Sequence, residues 1–151
     1  MTKIYILKNN TEHYDFAKQL AAEEYNIEKS TLILSKGPHG KPFFKNLPNF
    51  HFNISHSGEL KVIAVSDSNI GIDIEKLRTP NLSVTKRFCE DEYTYVTQNA
   101  SPTAFFEVWT KKEAYLKYLG EGLHAELNSF SVFKTDTPIK KKKNGDYIIS
   151  V

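Results

Sequence analysis

Apolar and polar positions alternate along several short stretches of this chain and recur at helical spacing along two longer ones. Lys3 to Leu7 reads as a short strand, and Glu12 to Tyr25 as an amphipathic helix whose Phe16, Leu20 and Ala21 share one buried face. Thr31 to Leu34 reads as a second short strand. It runs into Gly37-Pro38-His39-Gly40-Lys41-Pro42, where glycine and proline density forces a loop ahead of Phe43-Phe44. Phe50 to Ile54 and Val62 to Val65 flank Ser55-His56-Ser57-Gly58, and Ile70 to Glu75 alternates cleanly, so the middle of the chain predicts an antiparallel meander.

Beyond Arg78-Thr79-Pro80 the period turns helical. A short segment spans about Glu90 to Thr97, and a stronger helix runs from about Pro102, behind Ser101, to Leu119, where Gly120 and Gly122 signal its end. Phe130 to Phe133 reads as a strand. The tail from Pro138 to Val151 predicts a hairpin, with Asn144-Gly145 suited to a type I′ turn. The expected fold class is α+β: one compact domain over residues 1–151, in two layered halves of about 1–78 and 79–151, with no residue-level repeat.

Composition adds exclusions. With 151 residues, 40% hydrophobic and 25% charged, the chain is long enough to bury a core, and its net charge of +2 gives no argument for nucleic-acid binding. The Lys140 to Lys143 run reads as a strand edge kept from pairing by its lysines. A single cysteine, Cys89, excludes an intramolecular disulfide framework and a cysteine-based zinc cluster, which suits a reducing compartment. No window approaches the roughly 18 apolar residues of a membrane span, so the expectation is a cytoplasmic protein with no membrane partner.

Chemistry enters at Ile70-Gly71-Ile72-Asp73-Ile74-Glu75, where the two-residue period turns three isoleucines toward the core and both carboxylates the other way. Gly71, inside an apolar strand, marks close approach of a ligand or of another backbone. On the second helix Trp109, Glu113 and Lys117 lie four apart on one stripe, with Phe106 and Trp109 turning it toward protein. Glu113 and Lys117 at this spacing also suit a plain surface ion pair. Lys41 and His56 are the candidate cations, and Ser55 the candidate hydroxyl, for phosphate oxygens, while a histidine near a turn and a Gly-Lys-Pro turn also suit purely structural roles.

Four ordered blocks carry a resemblance: G-K-P at Gly40 to Pro42, F-N-I-S-H-S-G at Phe52 to Gly58, I-G-I-D-I-E-K at Ile70 to Lys76, and W-T-K-K-E-A-Y-L-K at Trp109 to Lys117. With Arg87-Phe88, Glu92-Tyr93, Gly120-Glu121-Gly122-Leu123 and Ser129 to Val132, they resemble the 4′-phosphopantetheinyl transferases of the surfactin-synthetase-activating type over roughly residues 37 to 133. The resemblance implies two pseudo-symmetric halves. It also implies transfer of the phosphopantetheine arm of coenzyme A, the co-substrate, to a serine of an apo acyl or peptidyl carrier protein, releasing adenosine 3′,5′-bisphosphate.

By matching motif positions, Asp73, Glu75 and Glu113 would hold Mg²⁺ on the diphosphate, Lys41 and Pro42 would lie against the adenosine end, and Ser55 and His56 would contact its phosphates. Lys117 would reach the diphosphate. Glu113 is the first choice for the base, with Glu92 as a second acidic candidate. The chain is shorter than the usual member, near the C-terminus and especially at the N-terminus, and no Lys or Arg cluster before Glu12 replaces the basic residues expected for the 3′-phosphate; weaker binding or a stand-in cation is expected. Since the phosphate-binding blocks precede G-I-D in one chain, the resemblance implies a monomer and not the trimer of the small carrier-protein synthases. A non-catalytic coenzyme A or nucleotide-binding module is the alternative.

Overall fold

A computed structural model describes residues 1–122 and 126–151, so Leu123 of the block after the second long helix lies outside the described residues. Strand β1 (Lys3–Lys8) leads to helix α1 (His13–Tyr25), which turns Ala17 and Ala21 fully inward, with Phe16 and Leu20 packed beside them. The expected strand at Thr31 to Leu34 does not form: Lys29–Thr31 is a 3₁₀ turn, and strand β2 (Leu34–Lys36) starts later. Asn46 is the reason. Its side chain takes the Ile33 N–H and donates to the Thr31 carbonyl, consuming the groups a ladder would need.

Strands β2 and β3 (Pro42–Phe44) form a small pair on either side of the Gly37 to Lys41 loop. Strands β4 (His51–Ser57) and β5 (Leu60–Ser66) form the expected hairpin, with β1 as the third strand in the order β1-β5-β4. The meander ends there. Strand β6 (Asp73–Lys76) joins a second antiparallel sheet, β6-β8-β7, with β7 (Lys141–Asn144) and β8 (Tyr147–Ser150). The chain thus changes sheets ahead of Asp73.

Between β4 and β6 there is no main-chain ladder. Asn53 Oδ1 accepts from the Ile72 N–H at 3.0 Å, Ser55 Oγ from Ile74 at 3.4 Å, and Ser57 Oγ from Lys76 at 3.0 Å. Alternate side chains of β4 thus replace backbone carbonyls. Without them the buried Ile72 and Ile74 amides would each be left unpaired, at about 1–3 kcal/mol.

Helix α3 (Pro102–Leu119) covers the second sheet with α2 (Glu90–Asn99) packed against it, and α3 begins and ends on the predicted signals: Ser101 Oγ caps Ala104 N, and Gly120 closes the helix at φ 74°. Phe130 to Phe133 is not a strand. Its backbone is claimed by buried side chains: the Val132 N–H donates to Glu92 Oε1 and the Phe130 carbonyl accepts from Lys112 Nζ, both at 2.7 Å. The C-terminal hairpin forms, but Asn144 pairs with Tyr147 and the turn is Gly145-Asp146. Only Gly145 takes positive φ there, whereas a type I′ turn needs it at both central residues. Strand β7 lies exposed at the sheet edge with Lys141, Lys142 and Lys143, as its lysines predict. One apolar cluster (Val62, Ala64, Ile70, Ile72, Ile74, Tyr147, Ile149) takes residues from both sheets, so the halves share a core. Among the described residues no helix is long and apolar enough to cross a membrane.

Candidate functional site

Gly71 sets the geometry. A Cβ there would fall nearer than 3.0 Å to both the Ala114 carbonyl oxygen and the Tyr118 amide nitrogen, so the chain leading into β6 lies directly on the backbone of α3. The close approach implied by the sequence is therefore to another backbone. It brings Asp73 against the face of α3 that carries Glu113 and Lys117. Lys117 Nζ donates to Asp73 Oδ1 at 2.7 Å and to the Ile72 carbonyl at 3.2 Å.

Ser55 and Ser57 act on the carboxylates as well as on the seam. Ser55 Oγ donates to Asp73 Oδ1 at 2.7 Å, and Ser57 Oγ donates to Glu75 Oε2 at 2.9 Å. Each hydroxyl accepts a β6 amide and so directs its single proton toward a carboxylate. Asp73 and Glu113 are 5% and 7% exposed, and Asp73 Oδ2 and Glu113 Oε1 are buried without any hydrogen-bond partner. Burial, with Asp73 and Glu75 adding repulsion, pushes the Glu113 carboxyl up to about 7. Burial also raises Asp73, against the pull of Lys117.

These groups open on a cavity of about 940 Å³ whose walls include Lys41, Pro42, Ser55, His56, Asp73, Glu113 and Lys117. Burial lowers the Lys41 ammonium to about 8, and it rests on Asn69 Oδ1 at 2.6 Å and the Tyr118 carbonyl at 3.1 Å. Glu75 faces a smaller neighbouring cavity of about 280 Å³ with Arg78 and Trp109, and its Oε2 is 2.8 Å from Arg78. Trp109 therefore shares a wall with Glu75, not with Glu113. The three carboxylates do not close into one shell. Among the described residues, the set of ligand-type side chains whose atoms all lie within 4.8 Å of one another is Cys89, Asp91 and Glu92.

That set is a helix start. Glu92 is fully buried: Oε2 pairs with Lys112 Nζ at 2.8 Å and accepts the Cys89 N–H at 2.9 Å, while Oε1 accepts Val132 N–H. Lys112, also fully buried, reaches the Leu127 and Phe130 carbonyls. The structure thus places Glu92 in a lock between α2, α3 and the segment after them, away from the cavity, and corrects its reading as a candidate base.

The orphaned oxygens of Asp73 and Glu113 test the implied metal. Two buried carboxylate oxygens on residues lining the cavity, with nothing to accept, fit a hard cation that keeps water and substrate oxygens as its other ligands, as Mg²⁺ does. Sequence reasoning missed the cavity residues His13, Tyr14, His39, Asn53 and Gly122. It also missed Ser57, although the two-residue period already placed Ser55 and Ser57 on one face.

The sequence pattern of the 4′-phosphopantetheinyl transferase superfamily matches residues 69–148, and that of the 4′-phosphopantetheinyl transferase N-terminal region matches residues 16–68. The chain is 39% identical over 116 residues to the 4′-phosphopantetheinyl transferase gsp of Aneurinibacillus migulanus, covering 74% of this chain and 48% of that one. It is 37% identical over 119 residues to Sfp of Bacillus subtilis (strain 168), covering 76% and 53%. With the L-aminoadipate-semialdehyde dehydrogenase-phosphopantetheinyl transferase of Homo sapiens it shares 30% over 128 residues, covering 73% and 41%. The chain spans about half the length of the bacterial relatives it matches. From the two matched regions and the carboxylate, lysine and serine cluster at their junction, this chain belongs to the 4′-phosphopantetheinyl transferase superfamily.

Proposed function

We propose that the chain transfers the 4′-phosphopantetheine arm of coenzyme A to a serine of an apo acyl or peptidyl carrier protein, acting as a Mg²⁺-dependent monomer in the cytoplasm. The observation that carries this reading is the pair of partnerless buried oxygens on Asp73 and Glu113, beside Lys117 in a cavity large enough for a nucleotide.

Asp73 and Glu113, with Glu75 beside them, would hold the metal, which when bound neutralises charge on the diphosphate. Lys41 and Pro42 take the adenosine end, and Ser55 and His56 the phosphates nearest it. Lys117, on Asp73 and at the cavity wall, is the cation for a diphosphate oxygen. The carrier serine Oγ forms a bond to the phosphorus nearest the pantetheine. The bridging P–O bond breaks, and its electron pair leaves with adenosine 3′,5′-bisphosphate. Glu113 takes the serine proton. Its Oε1, buried and without a hydrogen-bond partner, is the oxygen left to accept that proton.

Incubation with coenzyme A, Mg²⁺ and a panel of apo carrier proteins, read by intact mass, tests the reading. A carrier gaining one phosphopantetheine is expected. Coenzyme A binding with no gain on any carrier would make the protein a non-catalytic binding module.

A further inference from the structure

Lys41 is a cation without an anion. Its ammonium, half-buried on the wall of the large cavity, meets no carboxylate among the described residues; its partners are Asn69 Oδ1 at 2.6 Å and the Tyr118 carbonyl at 3.1 Å. Asn69, between β5 and β6, ties these groups together. Its Oδ1 accepts from Lys41 and from the Ile70 N–H at 3.1 Å, and its Nδ2 donates to the Tyr118 carbonyl at 2.6 Å. The amide has one orientation that satisfies this network, since Lys41 and the Ile70 N–H can only donate and a carbonyl can only accept.

Three segments distant in sequence thus meet on one side chain: the loop ahead of β3, the connection into β6 and the last turn of α3. The Tyr118 carbonyl is among those at the helix end that find no partner within the helix. Asn69 and Lys41 both satisfy it, and the negative end of the helix favours an ammonium there. Both acceptors of Lys41 are neutral. An aspartate at position 69 would fill the same space but cancel the charge, whereas asparagine holds the ammonium in place and leaves that charge to a ligand. Keeping a half-buried cation on neutral acceptors alone is costly, and burial draws Lys41 down to about 8. His39 of the same loop and Glu113 and Lys117 of α3 line the cavity too, and Lys117 is paired with Asp73.

We propose that Asn69 is a positioning residue: it fixes the Lys41 ammonium on the cavity wall with its charge uncancelled, so that an anionic substrate meets it already oriented. This rests on the coenzyme A reading, in which Lys41 lies against the adenosine end. Asn69 acts through Lys41.

Calorimetric titration of the full chain with coenzyme A and Mg²⁺, at pH 7 and pH 9, tests the proposal in wild type, Asn69→Asp and Asn69→Leu, with Asn69→Leu repeated in a Lys41→Met background. Wild type should lose up to about tenfold in affinity between the two pH values as Lys41 discharges. Asn69→Asp should start about tenfold weaker at pH 7 and then decline by less than about threefold, because the carboxylate keeps the ammonium charged. Asn69→Leu should also be about tenfold weaker at pH 7, with the steep decline retained. Without Lys41 the same change should move affinity by less than about twofold. A residue that only staples the end of α3 would behave otherwise. An equal loss from Asn69→Leu with and without Lys41, or an Asn69→Asp profile parallel to that of wild type, overturns the proposal. Inorganic pyrophosphate separates it from the wider reading. If wild type binds no coenzyme A, a pyrophosphate-induced rise in melting temperature that shrinks in both Asn69 variants still supports the positioned cation; no rise in wild type, or the same rise in all three, rejects it.

Discussion

Helix α3 carries two adjacent residues that go to opposite fates. Lys112 turns into the protein to meet Glu92, and Glu113 turns to the cavity beside Asp73 and Lys117. The first pair is closed: both side chains are fully buried, and Glu92 accepts from two backbone amides while Lys112 donates to two carbonyls. The second is open. Asp73 and Glu113 are nearly as buried, yet each keeps an oxygen with no partner. A satisfied buried ion pair acts as a fastener, whereas two carboxylates with unpartnered oxygens hold capacity for a ligand.

The sharpest way to break this contrast is Glu113→Gln. Turnover should fall by about 10²- to 10⁴-fold with coenzyme A binding largely intact, measured by carrier mass gain and calorimetry. The same variant should be more stable than wild type at pH 8 without Mg²⁺. Glu113 has a folded pKa raised to about 7, so its contribution to stability is full below about 4.3 and is lost as pH rises through 7; glutamine avoids that loss, up to about 3 kcal/mol by denaturant titration. Equal stability of the two at pH 8 would contradict the open reading.

At the closed pair the effect should be on folding. Lys112→Met leaves Glu92 buried and unpaired and should destabilise by about 3–5 kcal/mol, with the double change Lys112→Met and Glu92→Leu recovering much of it. If the protein that folds has normal turnover per molecule, Glu92 is a fastener. Ser57→Ala removes one guide of Glu75 and should weaken Mn²⁺ binding, read by electron paramagnetic resonance, by about 10- to 100-fold. The smallest effect concerns Lys41. Burial holds it at about 8, so coenzyme A affinity should decline above that pH by up to about tenfold per unit, and Lys41→Arg should flatten the profile.

How far the sequence discloses this contrast depends on the reach of each signal. Local chemistry is legible: Ser101-Pro102 and Gly120 bound α3 correctly, and the two-residue period places Asp73 and Glu75 together. What fails is nonlocal. The alternation from Phe50 to Glu75 reads as one meander because periodicity reports which face is buried, not which strand is the neighbour; β6 leaves to pair with β8, over 70 residues later. Glu92 reads as a catalyst from its motif position, and only packing reveals that Lys112 has consumed it. His13 gives no signal of its place in the cavity wall, where a distant strand brings Lys61 beneath the helix start.

The alphabet at position 71 has one letter. Gly71 is where the chain entering β6 and helix α3 touch backbone to backbone, so any side chain there would wedge Asp73 away from Glu113 before it altered a polar group. The separation of the two backbones that carry the orphaned oxygens is thus set in main chain. In a redesign for another substrate the cavity walls can be rewritten, but this crossing is the fixed datum from which every change must be measured.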